Sequence, residues 1–154
     1  MYMCEKSRFF IVRFVALILV FTLLTPVGAS AAVAEPVQPY ASYYLDVYNA
    51  YVYAAGSGKI QVYFEAHGAS YMDELGCLSV SIYESTDNVN WTWKKTFTHD
   101  STSGMLGYNV YSHFGHVDYQ GVAGRYYKAY VTIWGGDNGD GDSRSFWTSA
   151  KKAT

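Results

Sequence analysis

Residues 59–67 alternate without a break, with Ile60, Val62, Phe64 and Ala66 on one side and Gln61, Tyr63, Glu65 and His67 on the other. Successive side chains of an extended chain point to opposite faces, so this period of two makes one face apolar and the other polar. A helix built from the same residues would scatter the apolar set around its axis. The segment therefore reads as a half-buried antiparallel strand. The pattern returns at residues 125–134, where Tyr127, Ala129, Val131 and Ile133 oppose Tyr126, Lys128, Tyr130, Thr132 and Trp134. Five more strands are predicted, at residues 44–54, 76–85, 91–98, 107–117 and 143–150. In the second of these, Leu78, Val80 and Ile82 face inward and Ser79, Ser81 and Tyr83 outward. The segments between them carry turn chemistry: Gly56-Ser57-Gly58, the Ser, Asp and Asn run at 85–90, residues 100–104, Gly121 to Gly124, and a glycine- and aspartate-rich loop at 135–142. Seven short strands so spaced imply an all-β fold, an antiparallel β-sandwich, with a small closed barrel as the alternative.

The first 31 residues are expected to be a signal peptide. Lys6, Arg8 and Arg13 precede an apolar run from Phe14 to Leu24, and Ala29-Ser30-Ala31 fits the small-residue rule for cleavage. The run is shorter than the roughly 18–20 residues that span a bilayer. No stable membrane span is expected after cleavage, and the protein is expected to be secreted and extracellular. Residues 32–39 read as a short extended lead-in, and residues 40–154 as a single domain. Removing Lys6, Arg8, Arg13 and Glu5 takes the formal charge from −2 to about −4, with no basic run, so nucleic acid is not an expected partner. Of the two cysteines only Cys77 lies outside the leader, which excludes an intramolecular disulfide and leaves a buried small hydrophobe as its expected role.

Two stretches resemble motifs of extracellular β-sandwich modules. Ser85-x-Asp87-Asn88-x-x-Trp91 is similar to the S-x-D-G-x-x-W hairpin of fibronectin type III-like and discoidin-like modules, with Asn88 in the glycine position. The resemblance implies that Asp87 stabilises the turn and Trp91 packs at the hairpin base. Residues 124–131, Gly-Arg-Tyr-Tyr-x-Ala-x-Val, resemble the penultimate strand of an immunoglobulin or fibronectin type III-like domain. That likeness puts Tyr127 at a tyrosine corner, its hydroxyl bonded to an upstream backbone group. More widely, the chain resembles an uncharacterised family of small secreted proteins of Gram-positive bacteria. That likeness rests on Met72-Asp73-Glu74-x-Gly76, Tyr83-Glu84-Ser85-Thr86-Asp87, Trp91-Thr92-Trp93, Thr102-Ser103-Gly104-Met105 and residues 121–130. It implies a family and no activity.

Catalytic motifs are not apparent. No G-x-S-x-G is present, and Asp73 and Glu74 are adjacent on the chain and point apart in a strand, so an enzyme is not expected. His113 and His116 are three apart, which on a strand places them on opposite faces and argues against a shared metal. Residues 137–142 read first as a solvated turn and second as a calcium site through Asp137, Asp140 and Asp142, because calcium takes hard oxygen ligands. No other cofactor is expected.

The sixteen tyrosines, one of them in the leader, exceed what one small core can bury. Tyr126, Tyr130 and Trp134 form an outward row, to which Tyr83 and Trp147 on neighbouring strands are added, with Lys128 between as a hydrogen-bond donor. Such rings pair apolar faces with polar tips and suit a sugar or a protein surface. Cross-strand packing explains them equally. The expected function is a secreted, non-enzymatic binding module for a cell-wall or other glycan or a surface protein. The alternatives are a small secreted effector of bacteriocin or toxin type and a self-associating matrix protein.

Overall fold

In the computed structural model, which describes residues 42–154, every regular element is a strand. The expected leader and lead-in lie outside the described residues. The strands are β1 (Leu45–Gly56), β2 (Lys59–Ser85), β3 (Thr92–Thr98), β4 (Leu106–Gln120), β5 (Tyr126–Asp137), β6 (Asp140–Trp147) and β7 (Lys151–Lys152). All pairings are antiparallel. The fold is thus all-β, and its strands join in one hydrogen-bonded sheet of seven instead of the two separate sheets expected from the sequence.

The reason is β2. Segments 59–67 and 76–85, read as two strands, are one continuous strand of 27 residues. Its first half pairs with β1 on one edge and β4 on the other. Its second half pairs with β3 and β5. Between the halves the register slips twice, between His67 and Met72 against β4 and between Cys77 and Ser79 against β5. Extra residues on one strand of a pair bend it and deepen its twist. Two such irregularities let a single strand serve two wings of the sheet.

With no helix among the described residues to cover it, the sheet buries one face by folding it onto itself. Ile60, Val62 and Val117 on one wing and Val80, Ile82, Val131 and Ile133 on the other belong to a single core cluster. Tyr48 of β1 meets Phe146 of β6 with ring centroids 5.7 Å apart, and Tyr119 of β4 meets Tyr127 of β5 at 6.0 Å. Each buried aliphatic side chain contributes about 1.5–3 kcal/mol. The inward positions match the alternation except at Leu78. The slip after Cys77 gives the inward places to Leu75 and Cys77, both fully buried, and leaves Leu78 half-buried. Cys77 is the small hydrophobe expected, and burial pushes its thiol up to about 12.

Turn chemistry sets the hairpins. Ser57 (φ 53°) and Gly58 (φ 77°) join β1 to β2, and Asn138 (φ 53°) and Gly139 (φ 82°) join β5 to β6, both as two-residue turns with left-handed central residues. Residues 135–142 are therefore a tight hairpin, not a loop, because Asn-Gly suits the twist of paired strands. After β3's partner strand ends, Asp87 Oδ1 accepts the N–H groups of Val89 and Asn90 at 2.9 and 2.8 Å, while Asn88 takes the left-handed conformation (φ 62°). These bonds hold the Asp87 carboxyl far below the usual carboxylate range. Beyond β6, Thr148 continues the ladder with its side chain, its Oγ1 accepting the Ala129 N–H at 2.9 Å.

One charged group lies inside. Glu84 is buried, and its Oε2 accepts a 2.5 Å hydrogen bond from the Tyr127 hydroxyl. Its Oε1 lies 2.7 Å from Arg125 Nη1 and 3.5 Å from Lys94 Nζ. The Tyr127 oxygen accepts the Val122 N–H at 2.8 Å, an upstream backbone bond of the kind the resemblance implies. Burial alone would raise Glu84, but Tyr127, Lys94 and Arg125 outweigh it and hold the carboxyl below its ordinary value. Burial and Glu84 together push Tyr127 up to about 12.

The packing yields three predictions. Gly76 has φ 146°, and a Cβ there would lie 2.3 Å from the Met105 carbonyl oxygen, whereas Gly104, at φ 80°, has open space. Gly76→Ala is expected to destabilise by about 3 kcal/mol or more and Gly104→Ala by about 1 kcal/mol, measured by urea denaturation. Tyr127→Phe strips a partner from the buried Glu84 carboxylate and from the Val122 N–H and is expected to cost about 2–3 kcal/mol. Because Glu84 is lowered on folding, its contribution is complete above its unfolded value of about 4.3 and is lost as pH falls below that. Tyr127 is raised, so its contribution holds below about 10 and is lost as pH rises towards about 12. Stability against pH should be flatter on the acid side in Glu84→Gln and on the alkaline side in Tyr127→Phe.

Candidate functional site

The outward face of β3, β2, β5 and β6 carries its side chains in rows set by register. One row crosses the strands as Trp93, Tyr83 and Lys128, and the next as Thr96, Ser81, Tyr130 and Trp147. A third is all hydroxyl: Thr98, Ser79, Thr132 and Ser145. Neighbouring strands are about 4.8 Å apart, so the side chains of each row stand side by side across the sheet.

The aromatic rows make one cluster. Trp147 meets Tyr83 edge-on at 4.9 Å and Tyr130 at 5.0 Å in a tilted arrangement. The Lys128 ammonium sits 4.3 Å from the Trp147 ring centroid and 4.4 Å from that of Trp91, held between two indoles. Both Trp93 and Trp147 stay about half exposed, at 56% and 48%. Hydroxyls bond one another beside them, Ser81 to Thr96 at 2.8 Å and Thr132 to Ser145 at 2.9 Å, and the Trp93 indole N–H donates to Thr96 at 3.1 Å.

Of the residues singled out from the sequence, Tyr83, Lys128, Tyr130 and Trp147 come together. Tyr126 lies at one end of the face with the Lys152 ammonium 5.3 Å from its ring. Trp134 lies at the other end and leaves the row: its ring leans over Gly136 and Gly141, so closely that a Cβ on Gly141 would be 2.4 Å from it. There it lines a cleft of about 300 Å³ with Asp73, Glu74, Asp137 and Asp140. Trp91 and Trp93 were not expected on this face; Trp91 flanks the Lys128 ammonium, and Trp93 stands opposite Tyr83. The alternation that marks outward positions is interrupted in β3 by a bulge at Lys94, and only the pairing of Trp93 with Tyr83 reveals the face.

The aspartates of the hairpin bond to neighbours within the chain. Asp142 is bonded to Arg144 at 2.5 Å; burial alone would raise it, but Arg144 and Ser42 hold it below the usual range. Asp140 accepts from the Gly141 N–H, and Asp137 from the Asn138 side chain. Among the described residues no group of three His, Cys, Asp or Glu is placed to hold a metal, and the expected calcium ligands Asp137, Asp140 and Asp142 form no such group. His113 and His116 lie on opposite faces, His113 bonded to the Gly104 carbonyl at 2.9 Å and His116 against Tyr63.

The outer face of β1, β2 and β4 is also aromatic, with different geometry. Tyr51, Tyr63 and His116 stand directly across three strands, with centroids 5.3 and 5.1 Å apart and planes within 11° and 29° of parallel. These rings cover one another's faces. No family model, curated protein or solved structure matches the chain.

Calcium at millimolar concentration is expected to leave the melting temperature unchanged, measured by calorimetry with a chelator control. Lys128→Met keeps the aliphatic stem and removes the charge from between Trp91 and Trp147, and is expected to cost about 1 kcal/mol.

Proposed function

We propose that the protein is a secreted, non-enzymatic module that holds a glycan on the outward face of β3, β2, β5 and β6, in a family of small secreted Gram-positive proteins. The observation that carries the reading is the edge-on and tilted packing around Trp147, which leaves the half-exposed Trp147 and Trp93 indoles beside bands of hydroxyls. A pyranose presents C–H groups on its faces and hydroxyls around its rim, so it stacks on an indole while its rim exchanges hydrogen bonds with Ser and Thr. Stacking and hydroxyl bonding are the chemistry of holding a ligand. Secretion rests on the basic and apolar pattern before residue 31.

A second reading, self-association, draws on the exposed Tyr51, Tyr53 and Phe114 of the other wing. Sedimentation over a range of concentrations separates it from the first.

The test is binding of the secreted chain to a glycan array that includes purified cell walls, followed by tryptophan fluorescence. Trp93→Ala and Trp147→Ala are each expected to weaken binding at least tenfold, about 1.4 kcal/mol, with the fold intact by circular dichroism. Tyr51→Ala, on the other wing, should leave binding unchanged. A blank array, or equal loss in all three variants, would sink the reading.

A further inference from the structure

Several charges along and beside β5 are sorted by position. Near its start, around Tyr126 and Lys128, the fold gathers Lys94 and Lys95 from β3, Arg125, Lys128, and Lys151 and Lys152 from β7. Nothing in the order of the sequence shows this, because these residues are spread over residues 94–152 and no basic run joins them. The acidic groups of the same end are already engaged. Glu84 is taken by Tyr127, Arg125 and Lys94, and Asp87 by its own turn. At the other end of β5, Asp73, Glu74, Asp137 and Asp140 line the cleft beside Trp134. Lys128 and Asp137 are nine residues apart on one strand, about 30 Å at the usual rise. That is roughly four Debye lengths at physiological salt, so the acidic end does not cancel the field at the basic one.

Two of the basic groups lie on the aromatic face itself. The Lys128 ammonium is fixed between Trp91 and Trp147, and the Lys152 ammonium lies over Tyr126. Both sit at the level of the rings and not on long stems away from them. A sugar stacked on Trp147 or Tyr130 would therefore bring the rim of its own ring to the Lys128 ammonium. A uronic acid carries its carboxylate on that rim, attached to the ring carbon next to the ring oxygen. The rest of its rim is hydroxyl, which matches the Ser81–Thr96 and Thr132–Ser145 pairs alongside.

We infer that the glycan held by this face is a carboxylated, uronic-acid-containing polysaccharide, recognised by ring stacking on Trp147, Tyr130 and Trp93 and by charge pairing to Lys128 and Lys152. The inference rests on the proposed glycan-binding function and narrows its ligand class. The cations act mainly on encounter and on choice among glycans, since exposed charge pairs are screened by salt while stacking is not.

The experiment compares four immobilised polymers with the intact secreted chain: polygalacturonate, the same polymer after chemical reduction of its carboxyls, a sulfated glycan, and single-stranded DNA. Polygalacturonate is expected to bind at least tenfold more tightly than its reduced form, with the advantage shrinking as sodium chloride rises from 50 to 500 mM. Lys128→Gln and, at the exposed edge, Lys152→Gln should each lower polygalacturonate affinity at least threefold. Lys59→Gln, on the other wing, should not. Retention of the far-UV spectrum guards against an unfolded Lys128 variant, and Lys152→Gln tests the same charge at an exposed position. Equal binding to the native and reduced polymers would overturn the inference and leave the glycan-binding reading standing. Binding to neither, together with a blank array, would overturn both. Tighter binding to the sulfated glycan or to DNA would overturn the assignment to carboxylated sugar.

Discussion

A sheet without a helix to cover it can hide an apolar face only against another part of itself, and in this protein that demand falls on β2. Twenty-seven residues long, it is flanked by β1 and β4 in its first half and by β3 and β5 in its second. Because both wings hang from one strand, their relative placement is set by two slips of register, near residues 68–71 and 77–78. Gly76 sits between them with φ 146°, where the Met105 carbonyl comes too close for any side chain, and the next N–H, that of Cys77, bonds that carbonyl at 2.8 Å. The bend is held by backbone geometry as much as by packing.

The end of the sheet opposite the β5–β6 turn is closed by polar contacts. Glu84, Tyr127, Arg125 and Lys94 come from β2, β5, the approach to β5 and β3, so one small network ties three strands at the rim of the core. Burying a carboxylate is costly unless its oxygens are engaged, and both oxygens of Glu84 are. The chain's last strand adds backbone bonds to the same end: Ala153 accepts from Gly124 and donates to Arg125, both at 2.8 Å. The aromatic face is therefore mounted on the better braced end of the molecule, and its lysines are drawn from the strands that this bracing brings together.

The two outer faces show how similar compositions acquire different uses. On β1, β2 and β4, near-parallel rings at successive strands cover one another, and the gain is cross-strand stability. On β3, β2, β5 and β6, edge-on and tilted contacts around Trp147 leave ring surface open, and a lysine takes the place where a further ring would stack. Counting tyrosines could not separate the two, since what differs is the angle between rings.

Much of the architecture was legible in the sequence because it is local. Alternation marked Ile60 to Ala66 and Tyr127 to Ile133 as inward, and the Ser85–Trp91 turn chemistry was visible in its residue types. Residues 135–142 read as a loop, and the Asn138-Gly139 pair that makes them a hairpin lies hidden within that acidic stretch. Other features depend on residues far apart in the chain, and no local pattern encodes them. The fusion of two predicted strands into β2 required β4 to pair with residues on both sides of the slip between His67 and Met72. The pairing of Glu84 with Arg125, the lysine between Trp91 and Trp147, the departure of Trp134 from its row and the gathering of basic groups at one end all follow from register between strands. The sequence by itself determined which side of each strand is apolar, because that is a property of neighbours along the chain. Only the tertiary structure decided which exposed rings and charges share a surface, because that depends on which strands lie side by side and how their registers align.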